Sequence, residues 1–409
     1  MKAERIFPSV TITKKGEQSI RRGHPWVYDT EITSSNGEIT NGCFVDVLSS
    51  GGSYLGTGLY SAKSKIRVRI MTQNANETFS EAFFERRIRY AVMYRKTVMG
   101  NNFSACRLIF GEADEMPGLT VDRYGDILVT QVLSYGMEIR KDMIYRLLIS
   151  VMNGIGEHIS GIYERNDVAI RELEGLPQGK GWYEAEGSAH PERTEVDITE
   201  NGIKYTVDFE NGQKTGFFLD QKYNRAAVAR LAKGKNVLDC FTHTGSFALN
   251  AAYGGANHVT AVDISELAVE NARHNAEVNG LDDRMDFLCA DVFDLLPMLE
   301  MEKKNYYDFI ILDPPAFTKS RKTVSNAEKG YKEINYRAMK LLPRGGYFAT
   351  CSCSHFMRDD LFRAMLADAA RDANVKLRQI EARQQCCDHP VLWNVPETDY
   401  LKFYIFQII

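Results

Sequence analysis

Two short stretches of the chain carry side chains suited to chemistry, and each follows an apolar run. Asp313-Pro314-Pro315-Ala316-Phe317 comes straight after Phe309-Ile310-Ile311-Leu312, and Thr350-Cys351-Ser352-Cys353-Ser354 comes straight after Gly346-Tyr347-Phe348-Ala349. Both read as the carboxyl end of a buried parallel strand, the edge at which open α/β sheets bind ligands. One end offers a carboxylate on a rigid proline turn, the other offers thiols. A carboxylate and a thiol facing one pocket suit covalent attack on a pyrimidine ring. Alternation along a strand puts Cys351 and Cys353 on one face, so spacing leaves either as the attacking group. Burial of both as small apolar side chains is the plain alternative.

A second group of residues points to a cofactor. Lys235–Asp239 reads as a strand, and Cys240-Phe241-Thr242-His243-Thr244-Gly245 as the loop that follows it. A dinucleotide fingerprint wants three glycines there and this loop has only Gly245, so a cofactor without phosphates fits better. About 24 residues on, Asp263 ends the next strand, where an acid meets ribose hydroxyls in such folds. Asp291 follows the third strand, placed for an adenine edge, although an aspartate there also serves as a helix N-cap. The ordered set Asp239, Gly245, Asp263, Asp291 and Asp313, with Phe241 and Thr242 in the first loop, matches S-adenosylmethionine, whose cationic sulfonium tolerates nearby carboxylates. Ahead of the first strand, Asn211–Gln221 combines polar groups, two glycines and two aromatics. Its Lys214, Thr215, Gly216 and Phe218 are placed to cover the cofactor. The other reading is a strand turn followed by a helix over Gln221–Leu231.

Residues 1–75 show short alternating strands with glycine turns, which suggests a small β-barrel. Residues 76–187 begin with helical spacing over about 78–100, then give strands, a helix near 137–153 and a strand at Gly161-Ile162-Tyr163. They form a small α+β middle domain ending in the glycine-rich stretch Gly175–Gly187, which reads as a linker. Residues 188–409 alternate strand and helix, the pattern of an α/β, Rossmann-like, doubly wound parallel sheet.

Composition sets the remaining bounds. The 409 residues are 44% hydrophobic and 25% charged, as in ordinary globular proteins. No run approaches the roughly 20 apolar residues of a membrane helix, and Met1-Lys2-Ala3-Glu4-Arg5 leads into no apolar signal core, so a cytoplasmic protein without membrane contact is expected. Eight cysteines then read as thiols, and without a CxxC pair no metal site is expected. The net charge of −4 hides an uneven distribution. Residues 1–110 hold 16 lysines and arginines against 9 acids, a basic half that could meet phosphates. The alternative is that Lys63, Lys65, Arg67 and Arg69 are the solvated face of one strand.

Several segments together carry a family resemblance that runs nearly end to end. They are His24-Pro25-Trp26-Val27, Gly111-Glu112, Pro117–Asp122, Gln213-Lys214-Thr215-Gly216, Asp313-Pro314-Pro315, Ser352-Cys353-Ser354, Asp388-His389-Pro390 and Pro396–Lys402. With them the chain resembles the bacterial 23S ribosomal RNA cytosine-C5 methyltransferases that carry an amino-terminal PUA domain. The resemblance implies a PUA barrel, an S-adenosylmethionine-dependent catalytic domain, 23S ribosomal RNA as partner and a homodimer as one assembly. It favours Cys353 as the nucleophile, because the flanking serines match the family pattern. Asp313 would then hold the N3/N4 edge of the cytosine, with Pro314 fixing the turn and Phe317 stacking on the base. Many RNA cytosine-C5 enzymes carry a second cysteine in the Asp-Pro-Pro motif, whereas this chain has Ala316, so the acceptor of the C5 proton is left open. His355, next to the thiol loop, is either that base or a histidine satisfied within its loop. Two rival functions remain: methylation of a guanine or adenine nitrogen in RNA, and RNA binding by an inactive enzyme fold. A small-molecule methyltransferase fits the basic amino-terminal half less well.

Overall fold

The computed structural model describes residues 6–184, 190–318 and 324–409. The opening Met1–Arg5 and the far end of the 175–187 stretch lie outside them. The chain forms two compact units. The first comprises Met1–Ile198, Thr206–Leu219 and Cys387–Thr398, and the second Thr199–Tyr205, Asp220–Cys386 and Asp399–Ile409.

In the first unit, β1 (Ser9–Ile12), β2 (Trp26–Tyr28), β3 (Ile32–Asn36), β4 (Phe44–Leu48), β5 (Tyr54–Tyr60) and β6 (Ile66–Thr72) form a six-stranded sheet ordered β2-β6-β5-β4-β1-β3. A short helix, α1 (Lys14–Arg21), follows β1, and Thr13 caps its amino end. Val10, Ile12, Val27, Val45, Val47 and Val68 are fully or almost fully buried in one cluster, the core expected from alternation. Then α2 (Glu81–Met99) leads into β7 (Ala105–Phe110), β8 (Leu119–Tyr124), β9 (Ile127–Val132), α3 (Tyr135–Glu138), α4 (Lys141–Gly154), β10 (Gly161–Arg165) and β11 (Lys180–Trp182). These five strands make a sheet ordered β11-β10-β9-β8-β7. The stretch read as a linker therefore contributes an edge strand, since β11 pairs antiparallel with β10. The basic half also differs from expectation. Arg69 is 7% exposed and pairs with Glu174 at 2.7 Å, while Arg95 is 0% exposed and holds Asp114. Part of the positive charge is thus internal and neutralised. β12 (Glu195–Glu200) and β13 (Ile203–Asp208) form a two-stranded sheet.

The second unit holds α5 (Lys222–Ala232), β14 (Asn236–Cys240), α6 (Ser246–Tyr253), β15 (His258–Asp263), α7 (Glu266–Val278), β16 (Met285–Cys289), α8 (Val292–Glu302), β17 (Phe309–Leu312), α9 (Val324–Leu341), β18 (Tyr347–Ser352), α10 (Asp359–Asp372), β19 (Leu377–Arg383) and β20 (Lys402–Ile408). Its seven strands are ordered β16-β15-β14-β17-β18-β20-β19. The first five are parallel, and β20 inserts antiparallel to both neighbours. The alternating βα pattern predicts the parallel part but not the reversed strand. Strand sides alternate. Leu238, Cys240, Ile310, Leu312 and Phe348 join a cluster with residues of α8, α9 and α10, while Val237, Asp239, Phe309, Ile311 and Cys351 are buried on the opposite side. Phe247 of α6 stacks on Phe403 of β20 at 5.9 Å. The strand order reverses between β14 and β17, which is the topological switch point where such sheets bind ligands.

Candidate active site

Every candidate residue of the second unit lies at or just past the carboxyl end of a parallel strand. Asp239 is the penultimate residue of β14, Asp263 ends β15, Asp291 follows β16, Asp313 and Pro314 follow β17, and Cys353 follows β18. These strands are neighbours, so the sheet brings the acids and the thiol to one edge.

The loop after β14 is held by strong local constraints. Phe241, His243 and Gly245 take positive φ (65°, 51° and 79°), a costly backbone for the first two. A side chain at Gly245 would sit 2.9 Å from the Ala272 Cβ. The glycine is therefore required by the approach of α7 as well as by its φ. Asp239 Oδ2 accepts the Thr242 hydroxyl at 2.6 Å and the Ala248 N–H at 2.9 Å. Its Oδ1 is buried and has no hydrogen-bond partner among the described residues. Burial pushes this carboxyl up to about 8, against the pull of the Thr242 hydroxyl and with the help of the Asp313 charge. A buried, unpartnered carboxylate oxygen is costly, and a cationic ligand group would satisfy it. Burial also holds His243 below the usual histidine range.

Asp263 is oriented by backbone: its Oδ2 accepts from His243 N at 2.9 Å and its Oδ1 from Ser265 N at 3.0 Å. A carboxylate has about four lone-pair sites, so capacity remains for a pair of ribose hydroxyls. Asp291 is the N-cap of α8, accepting from Phe293 N at 2.8 Å. The structural role weighed from the sequence is thus realised, and its second oxygen stays available. The donor set (one orphaned acid, one backbone-braced acid and a loop with a single glycine) fits a cationic adenosyl cofactor and has no phosphate cradle.

The chemistry-bearing pair is less symmetrical than its sequence. Cys351 is 0% exposed, and its thiol donates to Asp313 Oδ1 at 2.8 Å. Gln221 braces both, with Nε2 3.2 Å from Asp313 Oδ1 and 3.5 Å from the Cys351 sulfur. Burial, then the Asp313 charge, pushes the Cys351 thiol well above its usual range. Asp313 is partly exposed; desolvation pushes its carboxyl up to about 6, while the Cys351 hydrogen bond pulls it down. Cys353 lies past the last residue of β18 and is partly exposed. Its neighbours are anchored: Ser352 Oγ donates to the Tyr331 hydroxyl at 3.1 Å and Ser354 Oγ to the Thr318 carbonyl at 2.9 Å. Phe317 rests against Tyr331 at 4.6 Å and Phe293 at 5.9 Å. His355 Nδ1 is buried without a partner among the described residues.

Lys214, Thr215, Gly216 and Phe218 fall in the first unit. There the Thr215 hydroxyl donates to Asp122 at 2.6 Å, and Gly216 has a φ of 121° with no room for a side chain beside Val207. Lys214 is exposed and Phe218 partly so. Sequence reading missed Gln221 as the brace of Asp313. It also missed Lys402, a lysine 7% exposed at the head of a strand that is otherwise apolar but for Gln407; charge in so apolar a run was the available signal. Asp220 was missed too: its Oδ2 accepts from the Tyr400 hydroxyl at 2.6 Å, and its Oδ1 is buried without a partner among the described residues. No described helix is long and apolar enough to cross a membrane.

Comparison with known proteins bears on the fold and the family. A family model described as S-adenosylmethionine-dependent methyltransferase matches residues 184–406, and one described as a PUA-like domain matches residues 10–73. The chain is 39% identical over 406 residues to Ribosomal RNA large subunit methyltransferase I of Klebsiella pneumoniae subsp. pneumoniae, covering 99% of each. It is 42% identical over 395 residues to the protein of that name from Shewanella denitrificans, covering 96% of this chain and 97% of the relative. Among solved structures, a protein from Streptococcus mutans described as a SAM-dependent methyltransferase superposes with a TM-score of 0.81 at 24% identity, covering 98% of this chain and 99% of that one. A methyltransferase complexed with SAH gives 0.82 at 22% identity, with the same coverage. These two share the fold.

Proposed function

Since the chain belongs to the ribosomal RNA large subunit methyltransferase I family and is an S-adenosylmethionine-dependent methyltransferase, we propose that it forms 5-methylcytosine in large-subunit (23S) ribosomal RNA through a covalent adduct between Cys353 and C6 of the base. The observation that carries this reading is the unequal pair of thiols. Cys351 is sealed and commits its proton to Asp313, whereas Cys353 is partly exposed on an anchored turn at the ligand-binding edge.

Cytosine C5 is a weak nucleophile. Addition of the Cys353 thiolate to C6 makes the ring an enamine at C5. The bound S-adenosylmethionine supplies the methyl group that C5 takes. Asp313, braced by Gln221 and Cys351, accepts hydrogen bonds from the amino group and a protonated N3, which favours addition by drawing charge into the ring. Pro314 holds the turn that presents it. C5 then carries both a methyl group and a proton. The proton passes to a base, the electron pair of that C–H bond reforms the C5–C6 double bond, and the thiolate leaves C6. Ala316 offers no thiol for this step, and His355 Nδ1, without a partner among the described residues, is one acceptor near the loop. The base must leave its stack or be unpaired already.

Asp239, Phe241, Thr242, Gly245, Asp263 and Asp291 are proposed to hold the cofactor, with Asp239 Oδ1 toward its cationic end and Asp263 on the ribose. Lys214, Thr215, Gly216 and Phe218 are proposed as cofactor-binding residues from the pattern of polar groups, glycines and aromatics in their segment. Mass mapping of 23S RNA from cells with and without the gene tests the reading. One cytosine should lose a methyl group in the deletion strain; loss from a guanine or adenine, or no loss, would overturn it.

A further inference from the structure

We propose that Lys402 sets the protonation state of Cys353, its buried ammonium holding the neighbouring sulfur as thiolate at a pH where an ordinary cysteine is still protonated. This rests on the reading of Cys353 as the nucleophile. Lys402 opens β20 and is the antiparallel register partner of Ser352. Its Nζ donates to the Ser354 carbonyl at 2.6 Å and the Tyr400 carbonyl at 2.8 Å. The lysine thus pairs with the residue before Cys353 and grips the carbonyl of the residue after it.

A lysine 7% exposed needs compensation, because burying an ammonium is expensive unless it is paired. Among the described residues no carboxylate lies within ion-pair distance of it. Two of its three N–H bonds go to neutral carbonyls, which orient the group without cancelling its charge. The groups that place negative charge toward it are, in order of weight, Asp399, Cys353, Asp359 and Cys351. Cys351 contributes little as an anion, since burial and its bond to Asp313 keep it a thiol. Desolvation lowers Lys402 to about 8, opposed by those neighbours, so the group is mostly cationic near neutral pH. A thiolate at Cys353 is a further anion facing this cation beside the Asp399 and Asp359 carboxylates, and a nearby cation is what lowers thiol pKa values generally.

The ionisation is simple: the Cys353 S–H bond breaks, the proton passes to solvent water, the electron pair stays on sulfur and Lys402 remains an ammonium. Lys402 is a positioning residue that acts through Cys353.

The test is the pH profile of alkylation of Cys353 by iodoacetamide in the intact protein, read by peptide mass spectrometry so that the other cysteines are resolved. The wild-type inflection should lie at least about one unit below the free-cysteine value of about 8.5. Lys402→Met should raise it by about one unit or more, a roughly tenfold loss of alkylation rate near pH 7, and Lys402→Arg should restore most of it. A wild-type inflection at or above the free value overturns the proposal whether or not the variants fold. So does an unmoved inflection in a Lys402→Met protein with a native melting profile. Because alkylation is read without turnover, failure of the nucleophile reading is seen separately, as a Cys353→Ala variant that still methylates RNA.

Discussion

Replacement of Cys351 by alanine separates the two thiols by pH rather than by activity alone. The Cys351 thiol donates to Asp313 Oδ1 at 2.8 Å, and this bond favours the ionised carboxyl, which burial otherwise pushes up to about 6. Hydrogen bonds to charged groups contribute about 1.5–3 kcal/mol, and a thiol is a weak donor, so about 1.4 kcal/mol, or one pKa unit, is a fair loss. Cys351→Ala should therefore move Asp313 from about 6 to about 7. If the carboxylate must accept from the cytosine edge, its active fraction at about pH 6 falls from about one half to about one tenth, close to a fivefold loss in kcat/KM by this one-unit shift. Near pH 8.5 the loss disappears. The assay is transfer of labelled methyl groups to unmodified RNA from about pH 5.5 to 9, expressed as the variant-to-wild-type ratio. The ratio cancels the titration of Cys353, and kcat/KM reports the free enzyme. A ratio near zero at every pH would make Cys351 the nucleophile and refute the assignment. A ratio flat at one would show that the Cys351–Asp313 bond has no part in catalysis.

Asp239→Asn should weaken S-adenosylmethionine binding at least about tenfold by calorimetry, yet stabilise the fold at pH 7.5 by about 1–3 kcal/mol. The sign follows from linkage: a carboxyl raised from 3.8 to about 8 is protonated in the folded chain and ionised in the unfolded one between those values. Its contribution is full below about pH 4 and lost as pH rises through about 8, so the asparagine's advantage should grow over that window in urea melts. Gly245→Ala forces a side chain 2.9 Å from Ala272 at a φ of 79°, and should cost about 1–3 kcal/mol of stability together with cofactor affinity. Arg225 and Glu200 form a buried pair, 1% and 0% exposed, joined at 2.6 and 2.9 Å. Arg225→Met should cost about 3–5 kcal/mol in denaturant unfolding, and adding Glu200→Met should recover much of it.

The positions of the four acids were legible because each stands at or just past the end of a parallel strand, a place that local sequence marks. Asp239, Asp263, Asp291 and Asp313 all stand there. Insertion of β20 was not legible, since strand order is decided by pairing between distant segments, here Ser352 with Lys402. Alternation could not separate Cys351 from Cys353, because it holds only while the strand lasts and β18 stops at Ser352. The basic half misled for a related reason. Counting charge cannot show that Arg69 and Arg95 turn inward to Glu174 and Asp114. Gln221 became visible only through its contacts with Asp313 and Cys351, which join residues about 90 and 130 positions apart in the chain.

The claim that Cys353 attacks C6 of a cytosine is tested most directly by a covalent trap. RNA carrying 5-fluorocytidine, incubated with the protein and S-adenosylmethionine, presents a C5 that can take a methyl group but has no proton to release, so the adduct cannot collapse. A denaturation-resistant protein–RNA complex should form, with its linkage mapping by mass spectrometry to Cys353. Absence of any adduct under conditions where ordinary RNA is methylated, or a linkage at Cys351, would contradict it.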